Sequence, residues 1–300
     1  MRRGNLKIRL LIGVAIVAFA FVKKCNQQEI NEFTGRKQTI TMTPEQEIAI
    51  GLQSAPQMAQ QHGGLHPNNQ YQAIVDNVGN KLVRNSIANE TPYKYEFHLL
   101  ADDRAINAFA LPGGQIFITY ALFSKLQNED QLAGVLGHEI GHVLGKHSAE
   151  RIGETEFWRT VSTGASVGGD MGGLLSGIGQ QTLLKNGRGD ELESDDLGVR
   201  FMIKSGYNPE GLLSILEKMS AEQELKSGSE ESRSFYNTHP NTPKRINDLD
   251  VLIENEDPRI QVPTGYNQMN LMQKIRFQPN TLLIISIFPM IRETSKSIMM

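Results

Sequence analysis

The sequence predicts an α+β domain that is mainly helical and carries a small β-sheet beside one glycine-rich helix. Alternation of apolar residues with period two is confined to residues 93–119, whereas helical spacing precedes and follows that stretch. With 39% hydrophobic and 21% charged residues, a chain of 300 residues supplies a full globular core. The formal net charge of -3 provides no basic surplus for phosphate neutralisation, so no nucleic-acid partner is expected.

The first 24 residues have the layout of a secretory signal. Basic residues within the first nine positions precede thirteen uncharged positions, Leu10 to Val22. That run is shorter than the ~20 apolar residues a membrane-spanning helix needs. The sequence AFA at 18–20 offers a cleavage site, and retention as a short membrane anchor is the alternative. Both interpretations predict an extracytoplasmic protein, either periplasmic or membrane-anchored and facing the periplasm.

Two helices are predicted before the strands. Residues 25–42 are expected to form a linker. Thr43 and Gln46 can form a capping box around Pro44 at the first helical position, which predicts a helix over 44–61. A second helix is predicted over about 70–88, because its apolar residues fall on one face.

The strand signals follow directly. In residues 93–100, YKYEFHLL, the aromatic residues and leucine alternate with polar ones, as in a half-buried strand. Residues 106–123 are predicted to form two strands around Pro112-Gly113, a pair suited to a type II turn. The sheet should therefore immediately precede the next helix.

That helix contains GHEIGHVLGKH at residues 137–147 and is predicted to begin with a capping box of Asn128 and Gln131. His138 and His142 are four residues apart, so both imidazoles can reach one zinc ion at ~2.0 to 2.1 Å. Glu139 lies beside them, where it suits a general base. Repeated glycines in this helix predict that another element packs closely against it.

The remaining ligands must come from histidines and carboxylates, because the single cysteine, Cys25, excludes a multi-cysteine site. His147 is five residues from His142 and is expected to point elsewhere. On a second predicted helix, Glu191 and Asp195 lie one turn apart. One of the two can bind a metal while the other hydrogen-bonds a ligand histidine. An acidic, solvated helix start is the competing interpretation of this segment.

Two other interpretations of the histidine pattern are weaker. A surface helix can carry the same five residues by chance, but the apolar and small residues between them are typical of a buried helix. A purely structural zinc site usually fills all four positions with cysteine and histidine.

The motifs NAFALPGG, HEIGH, ELESDDLG and NTHPNTPKRI, in this order, resemble the bacterial periplasmic branch of metallopeptidase family forty-eight, which includes HtpX, BepA and the CAAX prenyl endopeptidases. The resemblance covers about residues 40–255. It implies a zincin-like (gluzincin) metallopeptidase domain with one Zn²⁺ per chain and polypeptide substrates.

The resemblance also implies roles for individual residues. His138, His142 and Glu191 would be the zinc ligands, and Glu139 the catalytic base. The residues implied around them are Asp195 as the acid behind the ligands, His239 approaching the metal or stabilising the oxyanion, Arg245 following it, and Asn107, Ala108, Phe109 and Ala110 as the substrate edge strand.

The resulting hypothesis is a zinc endopeptidase domain at 43–255 that cleaves misfolded or damaged envelope proteins, with membrane association as a further hypothesis. A tail of unknown role would follow at 256–300. The alternative is a chaperone-like or adaptor protein that binds clients while His239 closes a latent zinc site. Intact Glu139 favours the enzyme, because a binding module has no need of a general base.

The glycine-rich stretch 162–181 lies between the two site helices. Three interpretations remain open for it: a mobile lid, a membrane-contacting loop or a flexible linker.

Overall fold

A computed structural model describes residues 3–168, 172–225, 239 and 243–255. Its helices are α1 Arg3–Asn26, α2 Pro44–Gln61, α3 Asn69–Arg84, α4 Tyr120–Phe123, α5 Glu129–Leu144, α6 His147–Gly168, α7 Gly172–Lys204, α8 Glu210–Leu225 and α9 Pro243–Asn255. Its strands are β1 Gln28–Ile30, β2 Lys37–Thr39, β3 Glu96–Leu100, β4 Ala108–Ala110 and β5 Gln115–Thr119. The predicted α+β class, mainly helical with a small sheet, is confirmed. The tail expected at 256–300 lies outside the described residues.

The N-terminal segment packs against the domain. Helix α1 runs antiparallel to α6, where the Gly13 carbonyl lies 2.9 Å from the position a Cβ of Gly164 would take. Lys24 pairs with Glu154 at 2.7 Å. Residues 25–42, expected as a linker, instead include the antiparallel hairpin β1–β2. In the described ranges we find no helix whose length and apolarity would suffice to cross a bilayer.

The predicted start of α2 is confirmed. The side chain of Thr43 accepts a hydrogen bond from the Gln46 backbone N–H, and Gln46 accepts one from the Thr43 N–H. The second helix ends at Arg84, four residues earlier than predicted. Ser86 then caps a short 3₁₀ turn at Ile87–Glu90, because its hydroxyl accepts from the Ala88 N–H.

The three-stranded sheet has the order β3-β5-β4, with β3 parallel and β4 antiparallel to the central strand. Strand β4 therefore forms an edge of the described sheet. Gly113, at φ 79° and ψ 4°, has the conformation of the third residue of a type II turn, as predicted. Strand β3 begins at Glu96, three residues later than the strand predicted from Tyr93.

The glycines of α5 allow other helices to approach its backbone. A Cβ at Gly134 would lie 2.8 Å from the Leu212 Cα of α8, and one at Gly141 would lie 2.9 Å from the Ser194 Cα of α7. The prediction of a close neighbour is confirmed. Helix α5 is thereby packed against α7 and α8, and it also contacts the sheet. Helix α7 carries Glu191 and Asp195, and the sheet carries the predicted edge strand.

The capping box predicted for α5 is corrected. Asn128 caps α5 through the Gln131 N–H, but the Gln131 side chain accepts from the Gln127 N–H, so the reciprocal half of the predicted capping box is absent. The glycine-rich stretch 162–181 is helical wherever it is described, as the end of α6 and the start of α7. Residues 169–171 lie outside the described ranges.

Glu47 gives the stability of this fold an expected pH dependence. It is 1% exposed, and burial raises its pKa to about 7, although a 3.1 Å hydrogen bond from the Tyr93 hydroxyl lowers it. Because the folded-state pKa exceeds the unfolded value of 4.5, this contribution to stability is full below pH 4.5 and is lost as pH rises through 7. We expect Glu47→Gln to raise Tm at pH 8 and to change it little near pH 4.5.

Thermal melts of wild type and variant at both pH values measure this difference. Glu45→Gln, an exposed neighbour on the same helix, is the control and should show no gain at pH 8. If Glu47→Gln raises Tm equally at both pH values, the pH dependence does not come from Glu47.

Candidate active site

The predicted histidine pair lies on one buried face of α5. The Nε2 atoms of His138 and His142 are 3.0 Å apart. Their convergence follows from the four-residue spacing on an unbroken helix. The side chains therefore present two nitrogen donors to one point.

Helix α7 and residue 239 complete the group. Glu191 Oε2 is 3.4 Å from His138 Nε2, and its Oε1 is 3.5 Å from His142 Nε2. His239 Nδ1 lies 3.2 Å from Glu191 Oε2 and 3.3 Å from His138 Nε2. One ligand atom from each of these four residues lies within 4.8 Å of the others.

The donor set fits a zinc-type ion. Three imidazoles and one carboxylate converge, and all four residues are buried or nearly so. Glu139 is 1% exposed, and neither of its carboxylate oxygens has a hydrogen-bond partner among the described residues. A buried carboxylate normally has partners, so its unsatisfied oxygens beside the ligand group indicate that a further species belongs there.

Asp195 and Arg245 stand directly behind His138. Asp195 Oδ1 is 2.8 Å from His138 Nδ1, and Arg245 Nη2 donates to the same oxygen at 2.8 Å. Arg245 Nη1 also lies 2.8 Å from Glu191 Oε2. The arginine on α9 therefore joins the ligand carboxylate to the carboxylate that orients the first histidine.

Burial and neighbouring charges shift the pKa values of the two site carboxylates, Glu139 and Glu191, in opposite directions. Burial raises the pKa of Glu139 by more than the neighbouring His239 and His138 lower it. Burial also opposes ionisation of Glu191, but His239 and hydrogen bonds from His138 and His142 hold its pKa well below the usual range. Glu191 therefore suits a permanently charged ligand, and Glu139 suits a group that takes up a proton.

The two histidines of α5 also differ. Burial lowers the pKa of His142 well below its usual value, which keeps it neutral as a metal ligand must be. Burial and Arg245 lower the pKa of His138, but Asp195 raises it to about 9. A metal that binds His138 must therefore displace a proton.

The edge strand lies beside this group. His239 Nε2 is 3.1 Å from the Ala108 carbonyl oxygen, and Ser148 donates to the Ala110 carbonyl. The Asn107 carbonyl accepts from the Thr119 N–H of β5. The Ala108 and Ala110 carbonyls thus point away from the sheet. A cleft of about 220 Å³, lined in part by Phe109 and Glu139, opens here.

Sequence reasoning missed His147 and Glu193. Helix α5 ends at Leu144, and Lys146 has a φ of 52°, so the chain folds back and places His147 Nδ1 2.8 Å from His142 Nδ1. Glu193 Oε2 is 2.7 Å from His147 Nε2. The Gly145-Lys146 pair was the available signal, since glycine often terminates a helix.

Comparison with known proteins agrees with this geometry. The family model described as Peptidase family M48 matches residues 69–253. The beta-barrel assembly-enhancing protease of Yersinia pestis is 31% identical over 262 residues, covering 83% of this chain and 52% of the relative. The mitochondrial metalloendopeptidase OMA1 of Schizosaccharomyces pombe is 30% identical over 205 residues, covering 68% and 58%. The chain thus spans about half the length of these curated relatives. On the family match and these identities, the chain belongs to peptidase family M48.

Proposed function

We propose that this chain is a zinc-dependent endopeptidase. The observation that carries the proposal is Glu139, a buried carboxylate whose oxygens lack hydrogen-bond partners in the described structure, next to the donors His138, His142 and Glu191. A binding site alone has no use for a buried base of raised pKa at this position. The relatives named as a protease and a metalloendopeptidase support the same activity.

The residues divide the chemistry among themselves. His138, His142 and Glu191 would hold one zinc ion, which when bound supplies Lewis acidity and lowers the pKa of water toward ~7. Glu139 accepts the proton of the attacking water and can return it to the leaving amine. Strand β4 offers the Ala108 and Ala110 carbonyls to the main chain of an extended peptide, which suits substrates with no common side chain.

Cleavage of casein by the purified full-length chain tests this activity. We expect fragments to appear with wild type, to be lost on treatment with a chelator and to return when zinc is added. Zinc content measured on the same samples should approach one ion per chain. Cleavage that persists after complete removal of the metal would contradict the proposal.

The cell envelope is the proposed location, and its misfolded or damaged proteins are the proposed substrates. The basic and uncharged pattern of residues 1–24 and the relative named for β-barrel assembly support this role. Helix α1 also exposes large apolar side chains, among them Leu11 and Phe19 at 72% and 64%, which supports membrane association. Fractionation of bacterial cells that express the chain tests it, and recovery in the cytosol would contradict it.

A second candidate function is client binding with a latent metal site. The observation that favours it is the position of His239, which lies within the ligand group and also holds the Ala108 carbonyl that a substrate strand would use. A protein in this conformation could bind clients elsewhere and cleave them only after His239 leaves the group.

His239→Ala is expected to raise the rate of casein cleavage. The reason is that a fourth protein ligand fills the open position that a catalytic zinc site requires. The gain should reflect the fraction of wild-type molecules that His239 keeps closed. Initial rates at equal zinc content measure it, with Ser148→Ala as a control that removes the contact to Ala110 and leaves the ligand group intact. A fall of about 10²-fold or more would instead assign the imidazole to oxyanion stabilisation.

A further inference from the structure

The two histidines of α5 are both supported from behind, but by different partners. His138 Nδ1 faces Asp195, which Arg245 holds in turn. His142 Nδ1 faces His147 at 2.8 Å, and His147 Nε2 contacts Glu193 at 2.7 Å. Each histidine thus begins a chain of polar groups on the side away from the ligand group.

The second chain also ends in an arginine. Arg36 Nε lies 3.1 Å from Glu193 Oε2, the oxygen that contacts His147. The same guanidinium pairs with Asp190 at 2.9 Å and with Glu150 at 2.7 Å. Because Arg36 donates hydrogen bonds to Asp190 and Glu150, its guanidinium is held in place beside the Glu193 carboxylate, with which it forms an ion pair.

If His142 binds the metal through Nε2, one arrangement of protons lets each donor in this chain face an acceptor. A metal bound to His142 through Nε2 leaves the ring proton on Nδ1, which must donate to an acceptor. His147 Nδ1 is that acceptor, so the proton of His147 lies on Nε2 and is donated to the Glu193 carboxylate.

Arg36 comes from outside the part of the chain that matches the family model. It lies in the turn of the β1–β2 hairpin, whereas the match begins at residue 69. The hairpin also contacts the end of α5, because Asn31 donates to the Leu144 carbonyl at 2.9 Å and Gln38 donates to the Gly145 carbonyl. The hairpin therefore contacts the end of α5, the helix that carries His142, and also Glu193, which contacts His147 behind that histidine.

We propose that Arg36, Glu193 and His147 form a positioning relay that fixes the tautomer and ring orientation of His142, so that the N-terminal hairpin sets the metal affinity of the site. The relay rests on the metal-binding part of the proposed function and goes beyond it by assigning a role to a segment outside the family match. None of the three residues belongs to the ligand group itself. They act through His142.

Zinc affinity of the full-length chain, measured by competition with a chromophoric chelator, tests the relay. We expect Glu193→Gln and His147→Ala each to weaken zinc binding about 10-fold to 100-fold, the usual effect of removing a partner behind a ligand. Arg36→Gln should weaken it similarly, and Arg36→Lys should recover part of the loss because it restores one charge. Asp196→Asn is the matched control, since Asp196 is on the same helix and pairs only with the exposed Arg200 in the described contacts.

A second readout separates positioning from general stability. The visible absorption of the cobalt-substituted protein should shift in His147→Ala and Glu193→Gln but stay unchanged in Asp196→Asn, because the spectrum reports ligand geometry. If Arg36→Gln fails to fold, the isosteric Glu193→Gln decides the question. Wild-type zinc affinity and an unchanged cobalt spectrum in Glu193→Gln and His147→Ala would overturn the relay. Absence of zinc binding by wild type would instead overturn the proposed function.

Discussion

Glu139→Gln is expected to abolish detectable casein cleavage while leaving zinc bound. An amide cannot accept the proton of the attacking water, and loss of a general base lowers rates by about 10²-fold to 10⁴-fold. The substitution is isosteric, and Glu139 is not one of the four residues of the ligand group, so the metal should remain. Cleavage rate and zinc content measured on the same preparation separate the two effects.

The matched control is Glu217→Gln, which makes the same carboxylate-to-amide change at an exposed residue of α8. It should cleave at the wild-type rate. If Glu139→Gln retains wild-type activity with full zinc content, Glu139 is not the base and the mechanism proposed for the site is wrong.

Among the variants proposed for this chain, Arg245→Met should lower the free energy of unfolding most. The arginine side chain is 1% exposed and pairs with Asp195 and Glu191, which are themselves almost fully buried. Removing it leaves two buried carboxylates without their cation, and breaking a buried pair in this way costs about 3–5 kcal/mol. Urea unfolding of the metal-free protein measures the change in the free energy of unfolding.

The double variant Arg245→Met with Asp195→Asn is the informative partner experiment. Neutralising Asp195, one of the two buried carboxylates, should recover part of the lost stability, because the penalty arises from the uncompensated charge. A single-variant loss below about 1 kcal/mol, the range of an exposed pair, would contradict this account of the site.

Local signals in the sequence predicted the elements whose partners are close along the chain. The capping box at Thr43 and the turn at Gly113 depend on residues within four positions of each other, and both have the predicted geometry. The same holds for His138 and His142, since a regular helix alone brings them together. The resemblance to a known family was needed to choose between Glu191 and Asp195, because spacing on α7 leaves both orders open.

The groups behind His142 could not be predicted, because they depend on a break in helical geometry. The helix was expected to continue to His147, where the fifth position would face away from the pair. The conformation of Lys146 reverses that direction. Gly145 indicates a helix end, but nothing in the sequence indicates the positive φ of the lysine that follows it. Contacts of Arg36 with Asp190 and Glu193 span more than 150 residues, and no local pattern encodes such a distance.

X-ray absorption at the zinc edge, recorded on the full-length chain and on Glu191→Ala, tests the central claim most directly. We predict one zinc per wild-type chain with only nitrogen and oxygen neighbours at ~2.0 to 2.2 Å, including imidazoles. Glu191→Ala should lose the metal or bind it with one protein oxygen fewer. A sulfur neighbour, a shell of six oxygens without imidazole, or a wild-type spectrum in Glu191→Ala would contradict the assignment of the site.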